Sequence, residues 1–486
     1  MNKKMKVLLC VLLIAVQMLL VACGGGGTTA PDGTTEPSEG TTAPPVTTEE
    51  PFELPDMNFD GATFGIAGLI GGIAQDCYFV EEDTGSGLSS AVADREMQIE
   101  TEFGITFEYT TWMERSTYIK NARQALYDSI MAGEDATIDL YLSSVVYTEE
   151  LLHAGLFSNL AGSQYLNLDR PWYVQSVNDW LGYKGSLFYC TGAYNLTTFS
   201  DTNVMFWNRE FSEDLQIEDN LFEVVRDGEW TYDRMLTLAQ RAVNGLDGED
   251  ATYGIGMTIT EGINALAMGM GRQIQTLDEN GVPSIEVLGS ARNVDILEEM
   301  IELYARKDLV NGDGIPLVAD LCKLFQSNRA LFAMYIMSMG ELQEMRDGVD
   351  YGFLPIPKGS EEQEDYVCVT FPVICAIPAT VKDRVMSEVI LDALNYYSMG
   401  VYDTYYEDYY GYKIARDDDC KAMLDIIRDS QYCDFSLANY PTVSSELYYI
   451  GTITNPASWW ASNRDAFLAS HNALLLKMEE LINAGT

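Results

Sequence analysis

An alternation of apolar strands and amphipathic helices constrains the fold of this 486-residue chain most strongly. Residues 62–67, 105–109 and 138–142 have the apolar pattern of strands, and the helix predicted over residues 117–132 lies between the last two. A helix after a strand carries the chain back along the sheet, so that the next strand can pair in parallel with the first. The alternation therefore predicts an α/β fold with mostly parallel sheets.

The same rhythm continues to the C-terminus, and 47% hydrophobic residues are enough for a sizeable core and more than one domain. A long strand over residues 367–377 must bend or lie at an edge, because Pro372 has no N–H to donate. Further strands are predicted at residues 186–190, 203–208, 253–259, 330–335 and 351–355, and further helices at residues 231–243, 293–305, 318–328, 385–397, 417–428 and 462–482.

The first residues of the chain have the pattern of an export signal. Three lysines within the first six residues precede an apolar run over residues 7–20, and the small residue Ala22 stands before Cys23. The apolar run is shorter than the roughly 20 residues that cross a membrane. The four residues LVAC that end at Cys23 resemble the lipobox of bacterial lipoproteins, in which the cysteine is diacylated and becomes the mature N-terminus. The alternative is a plain signal peptide that happens to contain a cysteine.

The N-terminal organisation follows from this pattern. Residues 1–22 are predicted to be a lipoprotein signal peptide, and residues 23–55 the lipidated Cys23 and a disordered linker rich in Thr, Pro and Gly. Two or more acyl chains hold a protein stably on a bilayer. We therefore expect a protein that is lipid-anchored at the extracellular face of the cell membrane, in a cell of the Gram-positive type.

Charge and cysteine content exclude several classes of function. The chain has 74 acidic against 29 basic residues, a formal net charge of −45 that repels nucleic acids and anionic lipid surfaces. Seven cysteines follow Cys23, and none of them forms a C-x-x-C pair, so neither a disulfide framework nor a zinc site is indicated. They are expected to be small buried residues, with a bridge between Cys420 and Cys433 left open.

Catalytic signatures are weak throughout the sequence. The two histidines have no nucleophile motif near them, and the single D-T-G sequence at residues 83–85 lacks the second one that an aspartic protease requires. Asp417 opens a run of three aspartates without the spacing of a Ca²⁺ loop, and it is expected to supply negative charge at a helix N-terminus. We therefore predict a protein that is not an enzyme and needs no metal or cofactor. A glycoside hydrolase remains the alternative, because acidic pairs alone do not decide against one.

Aromatic and amide side chains at predicted loop positions are the candidate ligand contacts. Ligands of α/β proteins bind beyond the carboxyl ends of strands, and aromatic faces pack against the C–H face of sugar rings. The alternative for each residue is ordinary packing, which is the prediction for Trp207, for Trp230 and for the tyrosines between residues 396 and 412. The predicted ligand-binding residues are Trp112, Tyr147, Trp172, Tyr194, Asn195, Trp459 and Trp460.

Four short segments in a fixed order resemble a known family. They are LLHAGLF at residues 151–157, GEWTYD at 228–233, NRALF at 328–332 and YGFLPIPK at 351–358. With the lipobox and the linker, they resemble the extracellular solute-binding proteins of ABC importers, of the carbohydrate type (family 1, maltodextrin-binding-like). The resemblance extends from about residue 59 to the C-terminus and includes no ligand-contact signature.

The resemblance implies a type II periplasmic-binding-protein-like fold, in which crossing hinge strands join two α/β lobes with the ligand cleft between them. It implies crossings near residues 194–200, near Tyr351 and after Tyr397. Lobe 1 would consist of residues 56–195 and 352–400, and lobe 2 of residues 196–351 and 401–486.

The implied function is capture of a monosaccharide or oligosaccharide by hinge closure, with delivery to the permease subunits of an ABC importer. The implied partners are thus a small-molecule ligand, the permease subunits and, through the lipid anchor, the membrane. A surface-anchored glycoside hydrolase, a binding protein for a non-sugar solute and a binding protein that signals to a sensor are the alternatives.

Overall fold

The computed structural model describes residues 54–68, 75–80, 83–111, 124, 126–132, 137–145, 148–285, 290–311, 318–433 and 453–484. The chain divides into two units, Met1–Glu53 and Leu54–Thr486. The first unit contains the predicted signal peptide, Cys23 and nearly all of the predicted linker, and it lies outside the described residues. Within the described residues, no helix has the length and apolarity that a membrane span requires.

The secondary-structure elements are numbered here in chain order. The strands are β1 (Ala62–Gly68), β2 (Ile105–Thr111), β3 (Leu140–Ser144), β4 (Asn203–Asn208), β5 (Tyr253–Met257), β6 (Gln275–Leu277), β7 (Pro283–Ile285), β8 (Val310–Asn311), β9 (Ala330–Ile336), β10 (Tyr351–Leu354), β11 (Cys368–Val369), β12 (Val373–Ala376) and β13 (Gln431–Tyr432).

The helices alternate with these strands. They are α1 (Gln75–Tyr78), α2 (Gly87–Phe103), α3 (Glu149–His153), α4 (Gln175–Leu181), α5 (Thr197–Ser200), α6 (Arg209–Asp214), α7 (Leu221–Arg226), α8 (Tyr232–Arg241), α9 (Ile259–Gly269), α10 (Ala291–Ala305), α11 (Val318–Gln326), α12 (Gln343–Gly348), α13 (Arg384–Asp403), α14 (Asp418–Asp429) and α15 (Pro456–Ala484). A π-helix, Thr404–Ile414, directly follows α13.

The first sheet has the strand order β12-β3-β1-β2. Strands β1, β2 and β3 are parallel, and β12 pairs antiparallel with β3. The apolar side chains that predict these strands, Phe64 and Leu140 among them, are fully buried. The predicted parallel α/β layer is therefore confirmed for this part of the chain.

Residues close in sequence fix both ends of helix α2. Ser86 caps its N-terminus by accepting a hydrogen bond from Ser89 N–H. The helix ends at Gly104, which has the left-handed conformation (φ 60°) that glycine adopts without strain. The D-T-G segment before it is a turn, since the Asp83 carboxylate accepts from Gly85 N–H at 2.8 Å.

The second sheet has the order β10-β4-β9-β5-β8. Its strands run in one direction except β4, which is antiparallel to both β9 and β10. Helix α8 packs on this sheet and begins where the sequence predicts, with Thr231 as its N-cap. Thus each sheet has its own helices and its own apolar core.

Three connections join the two sheets. The first spans residues 190–203 and the second residues 368–373, and they lie side by side where Thr202 pairs with Thr370. At its start, the first connection also pairs with β12, through Cys190 and Cys375. The third is the π-helix, Thr404–Ile414. The sequence predicts the second connection near Tyr351, whereas β10 lies within the second sheet, paired with β4. The predicted lobe boundary at residues 351/352 accordingly falls inside β10.

The strand predicted over residues 367–377 is divided into β11 and β12, with Pro372 between them because it has no N–H for a strand ladder.

All seven cysteines after Cys23 are buried, as expected. Cys420 is a free thiol, so the bridge to Cys433 that the sequence leaves open is not formed.

Candidate ligand-binding region

The carboxyl ends of the parallel strands define the region where a ligand would bind. In the first sheet these ends are those of β1, β2 and β3, and β12 starts at the same edge, because Val373 pairs with Ser144. In the second sheet β9 ends opposite the start of β4, where Ile336 pairs with Asn203. Two of the connections run between these edges, so the edges belong to one region of the molecule.

Several predicted contacts lie outside the described residues. The segments that follow β1, β2 and β3 are residues 69–74, 112–123 and 146–147, and they contain Trp112 and Tyr147. The roles of both side chains stay predictions.

A buried carboxylate, Glu341, marks the edge of the second sheet. It ends the 3₁₀ turn, Met337–Glu341, that directly follows β9, and it is 5% exposed. Its Oε1 accepts a hydrogen bond from the Tyr405 hydroxyl at 3.1 Å and another from the Tyr410 hydroxyl. Burial raises the pKa of Glu341, while these tyrosine hydroxyls oppose the shift by stabilising its ionised form.

The π-helix is what brings the two tyrosines together. Residues five apart share a face of a π-helix, and the rings of Tyr405 and Tyr410 meet edge to face with centroids 5.2 Å apart. The sequence predicts ordinary packing for these tyrosines, and Tyr405 and Tyr409 do stack, with ring centroids 5.7 Å apart. It does not predict the polar contact with Glu341, because no local pattern signals a π-helix.

Asp201 is a second carboxyl group at the same edge. It ends the first connection just before β4, and no described residue donates a hydrogen bond to its carboxyl oxygens. Burial, and to a lesser extent the charge of Glu341, raise the pKa of Asp201 to about 7. The region therefore contains two neighbouring carboxyl groups, of which Asp201 lacks a described hydrogen-bond partner.

We expect Asp201 to make stability depend on pH. Its carboxyl group keeps its proton in the folded protein between pH 3.8, the ordinary pKa, and about 7, while the unfolded chain releases it. The folded state then binds more protons, so the free energy of unfolding falls as the pH rises through this range. The free energy of unfolding of Asp201→Asn, measured with urea at a series of pH values, should lack this part of the fall.

Asp139 provides the matched control for that measurement. Burial raises the pKa of Asp139 to about 6, so Asp139→Asn should remove a fall that ends near pH 6 and leave the Asp201 contribution in place. Identical pH profiles for wild type and Asp201→Asn would contradict the prediction.

Tyr194, one of the predicted contacts, lies in the interior beside this region. It is fully buried, its ring meets that of Tyr78 edge to face at 5.5 Å, and the Arg95 guanidinium lies 4.9 Å from its centroid. Burial raises its pKa. The Tyr78 hydroxyl in turn hydrogen-bonds Thr197 Oγ1 at 2.8 Å, which ties α1 to the first connection.

Trp172 and Asn195, two further predicted contacts, are brought together on the wall of one cavity. This cavity of about 470 Å³ lies beside the first connection, and its wall also includes Phe199, Tyr402 and Gln431. The indole N–H of Trp172 donates to Asp392 Oδ1 at 3.0 Å. Neither Asp201 nor Glu341 lines this cavity, which is therefore distinct from the place where the two carboxyl groups lie.

Trp459 and Trp460 lie elsewhere. The sequence places them just before the last helix, whereas they belong to the first turns of α15, which begins at Pro456. Both are half-buried and contact the Phe467 ring, with centroids 5.8 and 6.0 Å away. Their role as ligand contacts stays a prediction.

The possible metal-binding side chains, the Asp417 carboxylate and the two histidines can each be placed in the described part of the chain. No group of three or more His, Cys, Asp or Glu side chains among those residues is arranged to hold a metal ion. Asp417 caps α14 by accepting from Cys420 N–H at 2.8 Å, as the sequence predicts for a helix N-terminus. Burial lowers the pKa of both His153 and His471, which favours their neutral forms.

Comparison with known proteins identifies the fold. No protein-family model matches the chain, and no curated protein matches its sequence. The sugar-binding protein MalE from Xanthomonas citri has a TM-score of 0.55 at 12% identity, over 87% of this chain and 98% of that one. A family 1 extracellular solute-binding protein from Bifidobacterium longum subsp. infantis scores 0.54 at 13% identity, over 86% and 99%.

A third structure, maltose-bound MalE3 of T. maritima, has a TM-score of 0.52 at 14% identity, over 87% of this chain and all of that one. At such identities the similarity concerns the fold. The chain therefore has the two-lobed fold of the carbohydrate-type solute-binding proteins.

Proposed function

We propose that this chain is a lipid-anchored extracellular solute-binding protein that captures a sugar or oligosaccharide and delivers it to an ABC importer. The observation that carries the proposal is the pair of sheets whose carboxyl edges are joined by three connections. Sugar-binding proteins with this fold support the choice of ligand class. A ligand between such edges touches both lobes at once.

The mechanism follows from that double contact. Contacts made by both lobes exist only when the lobes are closed, so the ligand shifts the population toward the closed form. Asp201 and Glu341 supply carboxyl oxygens for sugar hydroxyls, and the partly exposed ring of Tyr409 supplies an apolar face. The closed form would then be the one that the permease subunits of the importer recognise.

Calorimetric titration against a panel of solutes tests the proposal. The panel contains maltose, maltotriose and maltotetraose together with amino acids, short peptides and polyamines. We expect at least one sugar to bind and to be recovered unchanged by chromatography. Binding of only a non-sugar solute would contradict the sugar assignment, and release of a shortened glycan would favour the hydrolase alternative.

The anchor is tested separately. Cys23→Ala removes the thiol that the lipid would modify, so we expect the protein to move from the membrane fraction to the culture medium with unchanged ligand affinity. Immunoblots of both fractions and titration of the released protein give the two readouts. Retention of the variant at the membrane would show that another segment anchors the chain.

A further inference from the structure

We propose that the cavity beside the first connection is a second ligand site, which takes a small, neutral, flat apolar ring rather than a sugar and whose occupation is coupled to the hinge. The cavity has a volume of about 470 Å³, within the size range of small-molecule sites. The coupling to the hinge rests on the function proposed above, whereas the ligand class rests on the cavity alone.

Apolar side chains form part of the open wall: Met399 is 40% exposed, and the Tyr402 ring at the end of α13 is partly exposed. The rings of Trp172 and Phe199, which are 5% and 1% exposed, add little open surface. Flat rings pack against one another in offset-stacked or edge-to-face arrangements and gain from burying their faces. These walls therefore suit another ring.

The buried polar groups on the wall already have partners within the protein. Asn195 accepts from Gly192 N–H at 3.2 Å, and Gln431 donates to the Thr198 carbonyl at 3.0 Å and to Thr202 Oγ1 at 2.8 Å. A sugar entering here would lose its hydrogen bonds to water and find few groups to replace them. This argues for an apolar ring over a polyol.

Charges at the rim oppose an anionic ligand. Asp403 and Asp429 are exposed, and the Arg428 guanidinium is engaged in ion pairs with Asp425 and Asp429, each 3.2 Å long. The rim thus carries more negative than positive charge, and the positive charge is already paired. A neutral ring pays the smallest electrostatic penalty on entry.

The cavity touches each of the three connections or an element attached to it. Residues 192–199 belong to the first connection, Tyr402 and Asp403 precede the π-helix, and Gln431 starts β13, which pairs with β11 of the second connection. A rotation about the connections must therefore change the shape of the cavity. A ligand that prefers one shape shifts the hinge equilibrium, and by linkage the hinge state changes the affinity for that ligand.

Titration of the purified protein with indole, followed by ligand-observed NMR, tests the site. Met399 lines the cavity and is 40% exposed, so Met399→Trp should fill the space without disturbing the core. Met97→Trp on α2, at a position that is 61% exposed and does not line the cavity, is the matched control. We expect indole to bind the wild type and the control, and to bind Met399→Trp at least about tenfold more weakly.

A second variant, Ser176→Trp, fills the same cavity from an exposed position on α4. It provides the same test if Met399→Trp does not fold. Failure of indole to bind the wild type, or equal binding by the filled and control variants, would overturn the site. Hydrogen exchange of residues 368–373, which do not line the cavity, should slow when indole is added. Unchanged exchange there would overturn the coupling.

Sugar titration of the same variants separates this inference from the proposed function. A sugar that binds the wild type should bind Met399→Trp as well, because its site lies at the strand edges. Loss of sugar binding in that variant, with no indole binding by the wild type, would make the cavity the sugar site and the inference wrong. If no sugar binds the wild type, the proposed function fails while the indole result still decides the cavity.

Discussion

Replacing Trp230 by alanine is expected to lower the free energy of unfolding by about 4 kcal/mol, because truncating a fully buried tryptophan removes its packing and leaves a cavity. Trp230 is 0% exposed, its ring centroid lies 5.5 Å from that of Phe332 in β9, and its indole N–H donates to the Pro355 carbonyl at 2.9 Å. It therefore attaches the start of α8 to the centre of the second sheet. Urea unfolding followed by circular dichroism measures the effect.

Trp230→Phe separates the two contributions. The phenylalanine ring keeps most of the apolar contact but leaves the Pro355 carbonyl without its buried donor, which costs about 1–3 kcal/mol. A smaller loss for Trp230→Ala than for Trp230→Phe would contradict the packing argument. The sequence predicts Trp230 as a core residue, and its complete burial confirms this.

Gly65→Ala is expected to have a comparably large effect in the first sheet. A Cβ on Gly65 would lie 1.8 Å from the Thr137 carbonyl oxygen and 2.9 Å from its carbon, and both atoms are backbone. Strand β1 or the start of β3 would have to move, which disturbs the hydrogen bonds between Gly65 and Asp139. Overpacking of this kind costs typically about 1–3 kcal/mol, and backbone atoms cannot yield as a side chain does.

Gly400→Ala is the matched control for that substitution. Gly400 lies in α13 with nothing within 4 Å of a Cβ, so alanine should stabilise the helix by up to about 1 kcal/mol. Thermal melts of the two variants should thus shift in opposite directions. A melting temperature for Gly65→Ala equal to that of the wild type would show that the strands adjust without cost.

Local sequence patterns predicted most of the regular structure. The strands of the first sheet coincide with apolar runs, and α8 starts at the predicted cap Thr231, because these signals depend on neighbouring residues. The second connection was misplaced for the same reason. The apolar run at residues 351–354 suits a strand in either lobe, and only its pairing with β4 assigns it to the second sheet.

The sequence predicted less of the candidate ligand-binding region. Aromatic and amide residues at predicted loop positions were the candidate contacts; Trp172 and Asn195 share a cavity wall and Tyr194 is fully buried, and the ligand contacts of all three stay predictions. Asp201 and Glu341 carried no signal, because a chain with 74 acidic residues offers many equivalent candidates. The structure distinguishes them because Glu341 is buried, and because burial and the charge of Glu341 raise the pKa of Asp201.

The sequence by itself determined the alternation of strands and helices, and with it an α/β fold, because hydrophobic periodicity and capping are properties of adjacent residues. Tertiary structure alone decided which side chains meet at the strand edges. Tyr405 and Tyr410 reach Glu341 across 64 and 69 residues of chain, through a π-helix that no local pattern predicts. Contacts over such separations depend on how the sheets are joined, and that is settled by packing of the whole chain.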